Sequence, residues 1–274
     1  MVQATRSLAR RGEEGSVETG VSGRTAVLSG AAKPSGLGYA FSEGLAREGV
    51  NIVIADIEDG SESAAALRRL GVKAQFVRCN VADEADVSAL AAEVGREFGG
   101  CDILIHCASP FPTHHLDDME FAEWKLVTSV NLDGMFLLAH AFLPGMKERG
   151  WGRIIPISST TYHAGLGGRT HYVAAKAGLI GLTRSLAREV GDYGVTVNAL
   201  APGLVRTQGA ADSHVADPVY SGEDPYSIIR EQQCIRQSLL PANLVGPLLF
   251  LASDQSAYVT GQTLLVDAGW QHVG

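Results

Sequence analysis

The chain has 274 residues, 46% of them hydrophobic and 19% charged, a balance that builds a buried core and excludes a wholly disordered protein. A formal net charge of −8 argues against a nucleic-acid backbone as partner, and no uninterrupted apolar run approaches the roughly 20 residues of a membrane span. The four cysteines (Cys79, Cys101, Cys107 and Cys234) form no CxxC pair and no metal-ligand spacing, so they read as idle thiols of a reducing compartment and no metal is expected.

Residues 1–22 are polar and rich in Gly, Glu and Arg, without the apolar centre of a secretory signal. They are expected to be a disordered leader ahead of a single domain over 23–274, in a cytoplasmic protein. From residue 23 onward, short apolar runs alternate with amphipathic stretches. Strands are predicted over 25–29, 51–55, 74–78, 102–106, 153–158, 195–200 and 263–266. Helices are predicted over 38–48, 61–70, 84–98, 124–146 and 170–190. Continuous apolar strands separated by helices indicate a parallel sheet covered on both faces. The fold class is therefore α/β, one doubly wound, Rossmann-type domain with a seven-stranded parallel sheet. Residues 208–240, with Pro218 and Pro225, break the rhythm and are predicted to form a lid over the substrate.

The first strand runs into Ser29-Gly-Ala-Ala-Lys-Pro-Ser-Gly-Leu-Gly38. Glycines at a strand-to-helix junction permit a tight turn and let backbone amides approach a pyrophosphate. The same turn also fits a tight bend without ligand. Asp56 follows the second strand, where a carboxylate accepts ribose hydroxyls and repels a 2′-phosphate. With no basic residue at Ala55 or Ile57, NAD is favoured and NADP is the alternative.

Tyr172 and Lys176 stand four apart in a predicted helix and so share one face. An ammonium near a phenol favours the phenolate, which can then exchange a proton with an alcohol or carbonyl. Ser159, thirteen residues upstream of Tyr172, can hold the same oxygen by a hydrogen bond. Alone, the spacing equally fits an ordinary pair on a helix surface.

Together these features resemble the short-chain dehydrogenase/reductase family. Its marks occur in order: Gly30, Gly36 and Gly38, Asp56, Asn80-Val81, Asn131, Ser159, Tyr172, Lys176 and Asn198-Ala-Leu-Ala-Pro-Gly203. Shorter stretches (158–162, 170–172 and 203–207) look like the bacterial 1-phenylethanol dehydrogenase type. The resemblance implies an enzyme with Tyr172 as acid/base and Ser159 holding the substrate oxygen. It has Lys176 assist both the tyrosine and the nicotinamide ribose, and Asn131 interrupt its helix and hold a water leading from Lys176. It places cofactor contacts at Gly30, Ser35, Gly36, Leu37, Gly38, Asp56, Ile57, Asn80, Val81 and Ala108. Further contacts fall at Tyr172, Lys176, Pro202, Gly203, Val205 and Thr207. A homotetramer, or a homodimer, is the implied assembly.

Three departures stand out. Five residues rather than three separate Gly30 and Gly36, and Lys33 in that longer loop is placed to reach a phosphate. His106-Cys-Ala-Ser109 replaces the family's usual Asn-Asn-Ala-Gly, and Asn80 replaces a common Asp. A substrate pocket is predicted around Phe111, His114, Tyr162, His163 and the lid, lined for a medium-sized, largely apolar secondary alcohol or ketone. A 3-oxoacyl thioester or a sugar is the alternative substrate, and a non-catalytic nucleotide-binding regulator is the alternative outside enzymes.

Overall fold

A computed structural model of the protein describes residues 18–208 and 224–272. Six parallel strands form the main sheet in the order β3-β2-β1-β4-β5-β6. They are β1 Thr25–Ser29, β2 Asn51–Asp56, β3 Ala74–Arg78, β4 Ile103–His106, β5 Gly152–Pro156 and β6 Val195–Val197. Two further strands, β7 Ala199–Pro202 and β8 Thr263–Val266, pair in parallel with one another. Every residue of β1, β4, β5, β6 and β7 is buried, as expected for strands covered on both faces. The strand order reverses between β1 and β4, and in such sheets ligands bind at the C-terminal ends beside that switch point.

The predicted strand over 195–200 is therefore two strands, which corrects the expected seven-stranded sheet. Asn198 sits at the break, and its side chain explains it. Nδ2 donates to Val259 O at 2.7 Å while Oδ1 accepts from Gln262 N at 3.1 Å. These bonds tie the 195–202 segment to the approach to β8, and the ladder to β5 resumes only at Ile157 and Leu200.

The helices are α1 Leu37–Arg47, α2 Ser61–Arg68, α3 Glu84–Phe98, α4 Phe121–Thr128, α5 Gly134–Arg149 and α6 Thr161–Ala164. They continue with α7 Thr170–Val190, α8 Pro225–Gln232 and α9 Pro241–Ala252. Local chemistry sets several ends. The Asp83 side chain caps α3 by accepting from Ala85 N and Asp86 N, and Gly99 stops it at φ 79°. A capping acceptor at Asp224 and Pro225 in the first turn start α8 inside the predicted lid, of which residues 209–223 lie outside the described residues.

The run Phe121–Arg149 is long and apolar enough to cross a membrane by length and composition, although charged residues such as Asp133 interrupt it and no uninterrupted apolar run of that length exists. Its buried residues, Val127, Asn131, Met135, Leu138, Ala139, Phe142 and Met146, fall at helical spacing on one stripe. From Met135 onward that stripe belongs to the cluster packed on the α3, α5 and α7 face of the sheet, with Val27, Leu104 and Ile154. The run is a core helix of this domain.

The domain also begins earlier than expected. Val21 is fully buried in the second cluster, on the α1 and α9 face, and Thr19 O accepts from Asp254 N at 2.9 Å. Residues 1–17 of the expected leader lie outside the described residues.

Candidate active site

A cleft of about 580 Å³ opens along the C-terminal ends of the strands, and every residue predicted as catalytic or cofactor-binding except Asn131 lines it. At one end, the β1–α1 turn is folded tightly on itself. Gly30 has φ 68°, and a Cβ there would stand 2.5 Å from Ala108 N; a Cβ on Gly38 would stand 2.4 Å from Gly30 O. The glycines are thus required by backbone packing as well as by ligand approach. Helix α1 carries no side-chain cap at Gly36 and no acid in its first turn, so its leading N–H groups face the cleft with partial positive charge. This end fits a pyrophosphate, with Ser35, Gly36, Leu37 and Gly38 to hold it.

Asp56 ends β2 with its carboxylate tied to the same turn: Oδ2 accepts from Ala32 N at 3.0 Å and Oδ1 from Glu58 N at 3.2 Å. Lys33, placed by the longer loop to reach a phosphate, lines the cleft and pairs with Glu58 at 2.9 Å. Glu58, which the sequence reading passed over, lines the cleft beside Asp56 and Ile57. Asn80 and Val81 follow β3, and Asn80 Oδ1 already accepts from Ala82 N at 3.1 Å, leaving one acceptor site for a ligand.

The other end holds Ser159, Tyr172 and Lys176. Ser158 and Ser159 are separated by their partners. Both line the cleft, but Ser158 Oγ donates to Lys176 O at 2.8 Å, whereas Ser159 Oγ accepts from Thr161 N and Oγ1 and keeps its own proton to donate. Lys176 is buried, with Nζ donating to Ile157 O at 2.7 Å and standing 5.4 Å from the centre of the Tyr172 ring. Burial pushes its ammonium down to about 7, with the Cys107 thiol opposing. Burial likewise pushes the Cys107 thiol up to about 12. The Tyr172 phenol is raised by burial, while the Ser159 hydroxyl, the Arg169 charge and the Ser109 hydroxyl each pull it back. The sequence spacing led to a lowered phenol with Lys176 as the cause; without cofactor, burial outweighs the neighbours.

Asn131 does interrupt its helix. Residues Ser129–Asp133 form a π-turn between α4 and α5, with Asn131 fully buried. Its side chain accepts from Ser109 Oγ at 2.6 Å and donates to Pro110 O at 3.1 Å and Val127 O at 2.9 Å. In this structure the side chain fixes the loop after β4, and so fixes Ser109 next to Tyr172.

His106 is buried beneath that loop. Its Nε2 donates to Val130 O at 3.0 Å, so Nδ1 accepts from Ser29 Oγ at 2.7 Å. Burial is the main reason its pKa falls to about 3, with Lys176 adding to the effect. The unfolded chain binds this proton near pH 6.5 and the folded one only near 3. Stability is therefore expected to fall as pH drops through that window, by a few kcal/mol at its acid end (order of magnitude). Denaturant unfolding of the wild type and of His106→Asn, compared across the window, checks this; a mutant equally acid-sensitive removes His106 as the cause.

The predicted pocket residues divide. Phe111 lines the cleft, its ring 6.0 Å from that of Tyr172. Tyr162 and His163 do not: they line a separate shallow groove with Arg184, Arg188 and Gln262. His114 is turned outward to Glu123, at 2.8 Å, and Glu123 also accepts from His171 Nε2 at 3.0 Å. The lid contributes Ile229 to the cleft, and Trp270 joins it, its Nε1 donating to Gln232 Oε1 at 2.9 Å. Arg169 was missed. Its position three residues before Tyr172, at the start of the same helix, is the sequence signal that could have found it.

Fold and site together define a nucleotide-dependent oxidoreductase acting on CH–OH groups. Comparison with known proteins agrees: residues 30–271 match the family profile described as Enoyl-(Acyl carrier protein) reductase. D-xylose 1-dehydrogenase of Caulobacter vibrioides is 33% identical over 251 residues, covering 91% of this chain and 96% of that protein. The 3-oxoacyl-[acyl-carrier-protein] reductase FabG of Escherichia coli K12 is 34% identical over 255 residues, covering 90% and 97%. Among solved structures, a gluconate dehydrogenase candidate from Agrobacterium tumefaciens superposes with a TM-score of 0.86 at 28% identity, covering 94% and 100%. The chain belongs to the short-chain dehydrogenase/reductase family.

Proposed function

We propose that the protein interconverts a medium-sized, largely apolar secondary alcohol and its ketone, with NAD as cofactor. The observation that carries the reading is the apolar part of the lining of the cleft that holds Tyr172, with Phe111 against the Tyr172 ring and Leu126, Val130, Leu166, Ile229 and Trp270 in the same cleft. Such a lining excludes water from an apolar substrate and offers few partners to a polyhydroxylated one. The nicotinamide cofactor, when bound, supplies the hydride acceptor or donor. In oxidation the Tyr172 phenolate takes the hydroxyl proton while Ser159 holds the same oxygen; in reduction the phenol returns the proton to the carbonyl. Lys176, adjacent and buried, supports the phenolate and holds the nicotinamide ribose. Pro202, Gly203, Val205 and Thr207, which line the same cleft, would hold the nicotinamide.

Asp56 and Glu58 support NAD over NADP, since two carboxylates lining the cleft at the end of β2 would repel a 2′-phosphate, and Glu58 pairs with Lys33. Asp56→Ala is expected to raise KM for NAD⁺ about tenfold and to lower that for NADP⁺, measured by initial rates; unchanged KM values for both would remove Asp56 from ribose recognition. The exposed Phe121, Leu126 and Phe136 along α4 and α5 support assembly as a homotetramer.

The relatives named above favour a second reading, a sugar or 3-oxoacyl thioester as substrate. Enoyl reduction is disfavoured, because three residues separate Tyr172 from Lys176 where the enoyl-reductase branch has six. NADH formation with a panel of secondary alcohols including 1-phenylethanol, with D-xylose, and 3-oxoacyl thioester reduction with NADH or NADPH, decides. Turnover restricted to the sugar or the thioester overturns the proposed substrate class.

A further inference from the structure

His171 precedes Tyr172 in α7 and is fully buried, yet both of its ring nitrogens are engaged. Nδ1 lies 2.8 Å from Tyr172 N, and Nε2 lies 3.0 Å from Glu123 Oε1. A backbone N–H only donates and a carboxylate only accepts, so the ring proton sits on Nε2 and the imidazole is neutral. Helix α7 has no side-chain cap at its N-terminal boundary. His171 instead satisfies, from inside the first turn, one of the N–H groups that a helix start leaves without a partner. That N–H belongs to Tyr172 itself.

Glu123, in the first turn of α4, receives a second imidazole. His114 Nδ1 stands 2.8 Å from Glu123 Oε2 and 3.0 Å from Oε1, so it too carries its proton toward the carboxylate. His114 N also donates to Gly168 O at 2.9 Å, just ahead of α7. The end of the loop that follows β4 is thereby tied to both α4 and the approach to α7. Phe111 lies three residues earlier in that loop, its ring 6.0 Å from the Tyr172 ring at 57°. The tyrosine is held at its backbone by His171 and against its ring by Phe111, and both holds lead to one carboxylate. Burial pushes the Glu123 carboxyl up, but the hydrogen bonds from His114 and His171 outweigh it and leave it below its usual value.

We propose that Glu123 is a positioning residue for the proton transfer: its carboxylate, shared by His171 and His114, sets the backbone and the ring of Tyr172 against the substrate oxygen. This deepens the reading of Tyr172 as the acid/base and rests on it. Glu123, His171 and His114 are absent from the lining of the cleft, so they act on the reaction through Tyr172.

The test reads the tyrosine ring directly and needs no substrate. Full-length protein carrying 3-fluorotyrosine in place of Tyr172 is followed by fluorine NMR at fixed pH, in wild type, Glu123→Gln, His171→Asn and the double variant. Glutamine keeps one acceptor of the two, and asparagine keeps an acceptor for Tyr172 N without the length to span to Glu123. Each single variant is expected to shift or double the fluorine line. The double variant should match the more perturbed single, because both substitutions cut the same link. His114→Ala, on the half-exposed arm, is expected to act likewise through Phe111, and it serves where a variant of the buried arm fails to fold. A role in stability alone would lower the unfolding midpoint and leave the line of the folded protein in place. An unmoved line in the folded variants, or a double variant whose change is the sum of the singles, overturns the proposal. In turnover, Glu123→Gln is expected to lower kcat about tenfold with KM for NAD⁺ unchanged, and to have no further effect in Tyr172→Phe. A fluorine line that moves while Tyr172→Phe retains full turnover overturns the acid/base reading instead.

Discussion

Tyr172→Phe is expected to lower turnover by roughly 10²–10⁴-fold while leaving the fold and NADH binding intact. The ring stays, with its packing against Phe111, so the contacts that hold the cleft survive. What disappears is the one oxygen on which the Ser159 and Ser109 hydroxyls and the Arg169 charge converge. Loss of that oxygen removes the proton acceptor in oxidation and the proton donor in reduction, so both directions should fall together. Initial rates in each direction, with NADH binding followed by fluorescence, make the check. Retained turnover with intact cofactor binding would remove Tyr172 from the acid/base role.

Gly30→Val is expected to cost about 3 kcal/mol or more of stability and to abolish cofactor binding. Two causes add. The residue has φ 68°, a conformation that β-branched side chains adopt only under strain, and its Cβ would stand 2.5 Å from Ala108 N and 2.6 Å from Ala108 Cα. The obstacle is backbone, which has no rotamer to change, so relief requires β1 and the end of β4 to separate. That separation would also disturb Ser29 Oγ, which accepts from Cys107 N at 3.2 Å and from Ala108 N at 3.3 Å. Urea unfolding and NADH titration give the two effects separately. A variant of wild-type stability that still binds NADH would mean that the turn is not as tightly packed as the structure has it.

These two sites also show how far local pattern reaches. Tyr172, Lys176 and the glycines of the first turn act through spacing along one element, and spacing is what a sequence displays. Helix α3 was legible to the residue, because Asp83 and Gly99 are local stop signals, and α7 because its period is regular over the whole of Thr170–Val190. The break at Asn198 was not legible. It depends on Val259 and Gln262, more than sixty residues away, whose hydrogen bonds compete with the strand ladder. The thirteen-residue spacing to Tyr172 singled out Ser159, but what occupies the neighbouring Ser158 hydroxyl, its bond to Lys176 O, was not legible until the two elements had packed. Tyr162 and His163 lie close in sequence to Ser159 yet line a different groove, because α6 turns their side chains away from the cleft.

The sequence by itself determined the α/β class, the order of strands and helices, and the residues whose chemistry depends on local spacing: the glycine turn, Asp56 at a strand end, and Tyr172 four before Lys176. Hydrophobic period and turn chemistry act over a few residues, and the chain states them directly. Only the tertiary structure decided which groups act on the tyrosine. Ser109 is brought there by Asn131, Arg169 is held in the same cleft by Thr113 and Phe111, and burial lowers the Lys176 ammonium. Those effects follow from distance and desolvation, and neither exists until β4, the π-turn and α7 have packed together.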